Sequence, residues 1–157
     1  MAEKQYVVFN LDKEEFGIDI MNVKEIIPYQ ESIQIPKSPD FIEGIINYRG
    51  NVIPIINLRK RFNLDIGDMT KDTRIIVISL EEKEIGFVVD EASQTLRLNE
   101  EQIDPTPDVI SDVDRRYMIG VGKVDESRLI ILLDLEKILS NEEIDEINNL
   151  EVKQSEV

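Results

Sequence analysis

Short β-branched apolar runs separated by polar turns dominate the chain, and stretches of helical spacing are few. Tyr6 to Leu11 and Glu15 to Ile20 read as a hairpin joined through Asp12-Lys13-Glu14. Met21 to Lys24 suits one helical turn, and Lys24 to Tyr29 a further strand stopped by Pro28. Ile33 to Asp40, with Pro36 and Pro39, predicts an extended connector. Leu58 to Phe62 can close a brief helix, and the polar break Asp65 to Asp72, with Gly67, is the candidate boundary between two halves. Beyond it, Arg74 to Leu80 and Glu84 to Asp90 form a second hairpin. Asn99 to Met118, with Pro105 and Pro107, is the longest irregular stretch. Ser140-Asn141-Glu142-Glu143 reads as a capping box opening a helix with Ile144, Ile147 and Leu150 along one side, and Glu151 to Val157 as a fraying end.

The chain is organised around Phe41 to Phe62, FIEGIINYRGNVIPIINLRKRF, in which two apolar runs flank Tyr48-Arg49-Gly50. A three-residue loop with Gly50 in the left-handed position gives a bulged hairpin in which Asn47 pairs with Asn51. Residues of equal parity then share a face. The even face, Ile42, Ile46, Val52, Pro54 and Ile56, reads as core. The odd face has Ile45, Ile53 and Ile55 at its centre and Glu43, Asn47, Asn51 and Asn57 at its rim, the composition of an interface patch. The plainer alternative is a hairpin buried on both faces, against which Pro54 argues, since proline favours edges and bulges.

The pattern then repeats. Val7 to Ile20 lies over Ile76 to Val89 without a gap, with Phe16-Gly17-Ile18 on Ile85-Gly86-Phe87. Gly44 to Phe62 lies over Gly120 to Leu139 with one inserted residue, placing Asn57-Leu58 on Asp134-Leu135. Each half thus reads hairpin, strand, hairpin, short helix. A unit of about 70 residues buries too little surface to be robust alone. The halves are therefore expected to pack along a shared apolar seam, as small barrels rather than open sheets, because closure removes sheet edges.

Composition narrows the function. The 157 residues have a net charge of −15, from 18 basic and 33 acidic side chains, which repels phosphate backbones and disfavours nucleic acid. There is no His and no Cys, so zinc sites of the usual kind, imidazole bases, thiol nucleophiles and disulfides are excluded. No serine elbow and no phosphate-cradling glycine loop is present, and no pair among the many carboxylates stands out as an acid/base pair. No enzyme activity, metal or cofactor is expected. The opening Met1-Ala2-Glu3-Lys4-Gln5 lacks an apolar signal region, and no apolar run reaches about 18 residues, which predicts a soluble cytoplasmic protein without membrane insertion.

Four stretches together resemble the CheW family of bacterial chemotaxis coupling proteins: Glu14 to Ile26, Phe41 to Phe62, Gly86 to Leu98 and Ile119 to Leu139. The resemblance covers Tyr6 to Leu139 in order, with no kinase or receiver segment. It implies a mainly β fold of two five-stranded, SH3-like β-barrels packed together, with short helices and a C-terminal helix. Residues 1–157 would form one CheW-like domain, with subdomain 1 about 14–66 plus elements from the chain ends, subdomain 2 about 73–140, and 141–157 the C-terminal helix and tail. It implies a non-enzymatic adaptor joining the cytoplasmic tips of transmembrane chemoreceptors to the regulatory domain of the chemotaxis histidine kinase, in arrays beneath the inner membrane. By motif match, Val23, Glu25 and Arg49 would face the receptor in the groove between the halves, with Arg49 pairing with Glu25. If their segment is extended, Val23 and Glu25 share a face. The odd face of the central hairpin, Asn47, Asn51, Ile53, Ile55 and Asn57, would face the kinase. Gly44, Gly50, Gly86 and Gly120 match positions critical to the backbone. Tyr48 and Asn57 depart from the Leu and Asp of many members. The competing reading is a double β-barrel that binds a small molecule between its halves.

Overall fold

The structure, a computed structural model, describes residues 3–62, 64, 69–80, 82–108 and 116–139, with Ser93 described by its backbone alone. Half of the candidate boundary at 65–72, part of the 99–118 stretch and the whole expected C-terminal helix lie outside these residues.

The first hairpin is β1 (Glu3–Leu11) and β2 (Glu14–Asp19), turned by Asp12-Lys13 with Asp12 at φ 57°. A 3-10 turn (Ile20–Asn22) follows, capped by the Asp19 carboxylate, which accepts from Met21 N at 2.9 Å. Next come β3 (Val23–Pro28), β4 (Ile42–Tyr48), β5 (Asn51–Asn57) and the helical turn α1 (Leu58–Arg61). The connector carries an isolated bridge from Ile33 to Ile45, so it flanks the edge of β4. The second half begins with β6 (Arg74–Leu80), β7 (Lys83–Val89) and β8 (Glu91–Asn99). The stretch expected to be irregular is partly ordered: Asn99 and Gln102 form a reciprocal capping box around a 3-10 turn, and β9 (Ile103–Asp104) pairs with β10 (Met118–Lys123). After β11 (Leu129–Leu133) a 3-10 turn (Leu135–Lys137) stands where α1 stands in the first half.

The strands form two sheets, ordered β8-β1-β2-β11-β10-β9 and β3-β6-β7-β5-β4. The repeat is thus realised strand for strand, but with an exchange. Each half lends its first hairpin to the sheet that holds the rest of the other half. The exchanged hairpins dock through parallel ladders, Leu132 opposite Gly17 and Ile55 opposite Gly86. Gly86 makes room for this contact: a Cβ there would lie 2.6 Å from Ile55 Cδ1 and 2.7 Å from Ile75 Cγ2, so those packed side chains would have to shift. Among the described residues no ladder joins the outer strands of either sheet, so the expected closed barrels are seen as two open sheets, one with a short sixth strand.

Three apolar clusters hold the sheets. Ile46, Tyr48, Ile53, Ile55, Ile75, Val77 and Val88 pack on one face of the five-stranded sheet. Tyr6, Val8, Leu98, Ile130 and Leu132 do the same in the six-stranded sheet. The largest cluster draws on both sheets, with Phe9, Leu11 and Ile18 against Ile76, Ile78 and Phe87, and is the shared seam. Polar ties reinforce it: Arg59 of α1 forms an ion pair with Asp90, whose other contact is the amide of Asp12 at 2.7 Å, and Arg61 Nη2 donates to Ile138 O at 2.8 Å.

The repeat makes a quantitative prediction. Gly44 and Gly120 sit at matching bulges, and a Cβ at either would lie 2.5 Å from a backbone carbonyl, of Ile33 and Asp104 respectively. Gly44→Ala and Gly120→Ala should each cost about 1–3 kcal/mol in urea denaturation. Gly17→Ala should cost less, because its nearest neighbours are side-chain ends at 3.1 and 3.2 Å.

Candidate functional site

In the central hairpin Tyr48 pairs with Asn51 and Asn47 with Val52, so the loop is Arg49-Gly50 alone. Arg49 at φ 50° and Gly50 at φ 87° give the two positive values that a type I′ turn needs, and that turn matches the natural twist of paired strands. Asn47 Oδ1 accepts the Gly50 amide at 3.0 Å and secures it. This corrects the expected three-residue loop and the Asn47–Asn51 pairing. A slip of one residue moves side chains to opposite faces. Ile46, Tyr48, Ile53 and Ile55 now share one face, and Ile53 and Ile55 are 2% and 0% exposed in the core. They therefore do not form the apolar centre of a surface patch. Asn57, 3% exposed, is no rim residue either: its side chain caps α1 through the Lys60 amide and donates to Glu43 Oε1 at 3.3 Å.

The opposite face holds Ile45, Asn47, Val52 and Pro54, with Ile33 bridged alongside. Asn47 and Asn51 are both exposed, but the corrected register puts them on opposite faces, Asn51 with Tyr48 and Asn47 with Val52, and the accessible apolar surface comes from Ile33 and Val52, 70% and 49% exposed. A two-residue turn at Arg49-Gly50 was the signal that places Val52 outward.

At the other edge of the same sheet, β3 pairs with β6 through a bulge: Val23 lies opposite Ile78, but Glu25 opposite Val77. The extra residue, Lys24, breaks the alternation, so Val23 and Glu25 face opposite sides rather than one. Val23 packs against the seam cluster. Glu25 turns to the hairpin tip, where Oε1 accepts from Tyr48 Oη at 2.6 Å and Oε2 from Arg49 Nη2 at 2.8 Å. The Arg49 guanidinium also sits 5.5 Å from the Tyr48 ring centre. These two donors, Tyr48 first, hold the Glu25 carboxyl below the usual carboxylate range, while burial and the bond to Glu25 push the Tyr48 phenol up. Beside them Lys24 pairs with Glu84 at 2.9 Å. The expected Glu25–Arg49 pair is present; Tyr48 as its third member was visible in sequence only as an unusual residue.

At the seam an apolar pocket of about 220 Å³ is lined by Phe16 and Phe62 from the first half and Tyr117 and Leu133 from the second, among others. Phe9, Phe16, Phe62 and Tyr117 stack in series at 5.6, 6.0 and 5.4 Å. The pocket is smaller than the roughly 300–1,000 Å³ of small-molecule clefts. Val23, Glu25 and Arg49 do not line it, so the expected groove between the halves and the Glu25–Arg49 edge are separate places. Among the described residues no cluster of acidic side chains could hold a metal ion.

A family model described as the CheW-like domain matches residues 5–143. The chemotaxis protein CheW of Klebsiella aerogenes is 39% identical over 147 residues, covering 94% of this chain and 88% of that one. The chemotaxis protein CheW of Treponema pallidum is 35% identical over 150 residues, with 93% and 88% covered. The crystal structure of the scaffolding protein TtCheW from Thermoanaerobacter tengcongensis superposes with a TM-score of 0.78 at 35% identity, over 87% of this chain and 92% of that one.

Two predictions follow from the register and the clamp. Ile53→Ala and Ile55→Ala should each cost about 2–5 kcal/mol in urea denaturation, as core truncations do, whereas Asn47→Ala, which loses its bond to the Gly50 amide, should cost about 0.5–1.5 kcal/mol. Glu25, with its lowered pKa, contributes stability above the ordinary carboxylate range and loses it as pH falls through the lowered value. The Tm difference between the protein and Glu25→Gln should therefore be steady near neutral pH and shrink on acidification.

Proposed function

This chain belongs to the CheW-like family and is a chemotaxis scaffold protein, and we propose that it couples transmembrane chemoreceptors to the chemotaxis histidine kinase by contact, without catalysis. The kinase regulatory domain docks on the outward face of the central hairpin. Ile33 and Val52 supply its apolar centre, and Asn47, opposite Val52, its polar border. The single observation that carries this surface is the exposure of Ile33 and Val52, 70% and 49%, on either side of β4 in a sheet whose other aliphatic side chains are largely buried.

The receptor tip, a helical hairpin, docks along β3, where Arg49, oriented by Glu25, forms the polar edge and Val23 holds the strand to the core. The protein works in the cytoplasm, at receptor arrays beneath the inner membrane; among the described residues no helix is long and apolar enough to cross a membrane. We read each sheet as a curled, incompletely closed SH3-like barrel, a reading supported in the five-stranded sheet by the Tyr48–Glu25 bond between its outer strands β4 and β3.

Val52→Asp should weaken binding to the kinase regulatory domain at least tenfold in a direct titration while moving Tm by no more than a few degrees. Glu25→Lys should weaken binding to a soluble chemoreceptor tip and spare the kinase. Full affinity of Val52→Asp for the kinase would remove the hairpin face from the account, and failure of the unsubstituted protein to retain either partner would remove the function.

A further inference from the structure

Glu25 has both carboxylate oxygens engaged, but by donors of different kinds. Tyr48 is 4% exposed, packed in the cluster inside the five-stranded sheet, and its hydroxyl reaches Glu25 Oε1 at 2.6 Å. That length is typical of a phenol donating to an ionised carboxylate, one of the stronger hydrogen bonds in proteins. Arg49 stands at the turn, its side chain 66% exposed, and spends one of its donors, Nη2, on Oε2. An ion pair this exposed is weakly held, because water screens it and the arginine loses rotamer freedom. The two contacts are therefore unequal: one is fixed by the core and the other is easily given up.

The second half provides an internal contrast. Gln94 lies opposite Val8 next to a bulge in β8, the place that Glu25 holds opposite Val77 in β3. Arg128, on the hairpin beside it, donates to Gln94 at 2.7 Å, but also through Nε and Nη2 to the two oxygens of Glu15 at 2.9 and 2.6 Å. Such a two-pronged pair, with the Arg128 side chain 30% exposed, fixes the arginine. At the first site no such fork exists, and the carboxylate has a tyrosine instead.

We propose that Tyr48 is a positioning residue which holds Glu25 by itself, so that Arg49 can leave the carboxylate and donate to an acceptor group, a side-chain carboxylate or amide, on the docking helix. This deepens the receptor reading given above and rests on it. Without Tyr48, release of Arg49 would strip the Glu25 carboxylate, whose side chain is 34% exposed, of both its donors, and the carboxylate would draw the arginine back. With Tyr48 in place the cost of release is small, and the edge presents a cation rather than a neutral pair. A leucine at this position of the hairpin could not donate to Glu25, which makes Tyr48 a determinant of which receptor tips bind.

The test has two readouts, on the full chain. The first is the Glu25 carboxyl pKa, followed by carbon NMR in the free protein. The second is the Kd for a soluble chemoreceptor tip. Arg49→Gln should leave the Glu25 pKa lowered, because Tyr48 remains, and should weaken tip binding several-fold. Tyr48→Phe keeps the ring in the core, should raise the Glu25 pKa, and should weaken tip binding several-fold because Arg49 stays on Glu25. Adding Glu25→Gln to Tyr48→Phe removes the charge that traps the arginine and should recover most of that loss, a result that a purely structural role of Tyr48 does not produce. An unchanged Glu25 pKa in Tyr48→Phe would overturn the clamp. A raised pKa with unchanged tip affinity, or no recovery in the double variant, would overturn the release of Arg49. Tip binding indifferent to both Arg49→Gln and Glu25→Lys would instead sink the receptor reading itself, whatever the NMR shows.

Discussion

The structure depends on two parallel strand contacts, Leu132 against Gly17 and Ile55 against Gly86. Parallel neighbours cannot be linked by a tight turn, so each contact joins segments distant in the chain. Through them the hairpin β1-β2 completes the sheet of the second half, and β6-β7 completes that of the first. Neither half of about 70 residues has a large core of its own, and the exchange removes the need for one. The biggest apolar cluster is built from both hairpins and both chain halves, so that the seam is the interior of the molecule rather than an interface between finished parts.

The same arrangement positions the sites. The sheet β3-β6-β7-β5-β4 has β3 on one edge and β4 on the other. Glu25 stands on the first edge, and Ile33 and Asn47 mark the second, while β6 and β7 between them are almost wholly buried. The two margins meet through side chains, because Glu25 of β3 is bonded to Tyr48 at the end of β4 and to Arg49 in the turn beyond it. Tyr48 links margin to middle: its ring belongs to the core cluster and its hydroxyl to Glu25.

Much of this was legible in the residues. Gly and charged turn residues bounded nearly every strand, and the gapless overlay of Val7 to Ile20 on Ile76 to Val89 revealed the repeat. The exchange of hairpins was not legible, because aliphatic strands such as Ile75 to Ile78 carry no mark of which neighbour they will choose. The hairpin face was misread for a single reason. Both a two-residue and a three-residue loop suit Arg49-Gly50, and the choice inverts every assignment along β5. The structure settles it through the positive φ of Arg49, uncommon for a residue with a Cβ, and the Asn47 side chain bonded to the Gly50 amide. The bulge at Lys24 likewise has no sequence signature, so the split of Val23 from Glu25 could be seen only in the paired strands.

The account turns on the two halves being one cooperative unit, and native-state hydrogen exchange tests that most directly. The amides of Gly17 and Ile18 in β2 and of Leu132 and Leu133 in β11 should exchange only through a shared opening, with one free energy and one response to denaturant, alongside those of Phe87 and Val88 in β7. If β6 to β11 stayed protected while β1 to β5 opened and exchanged on their own, the hairpin exchange would not be what holds the fold, and the account would fail.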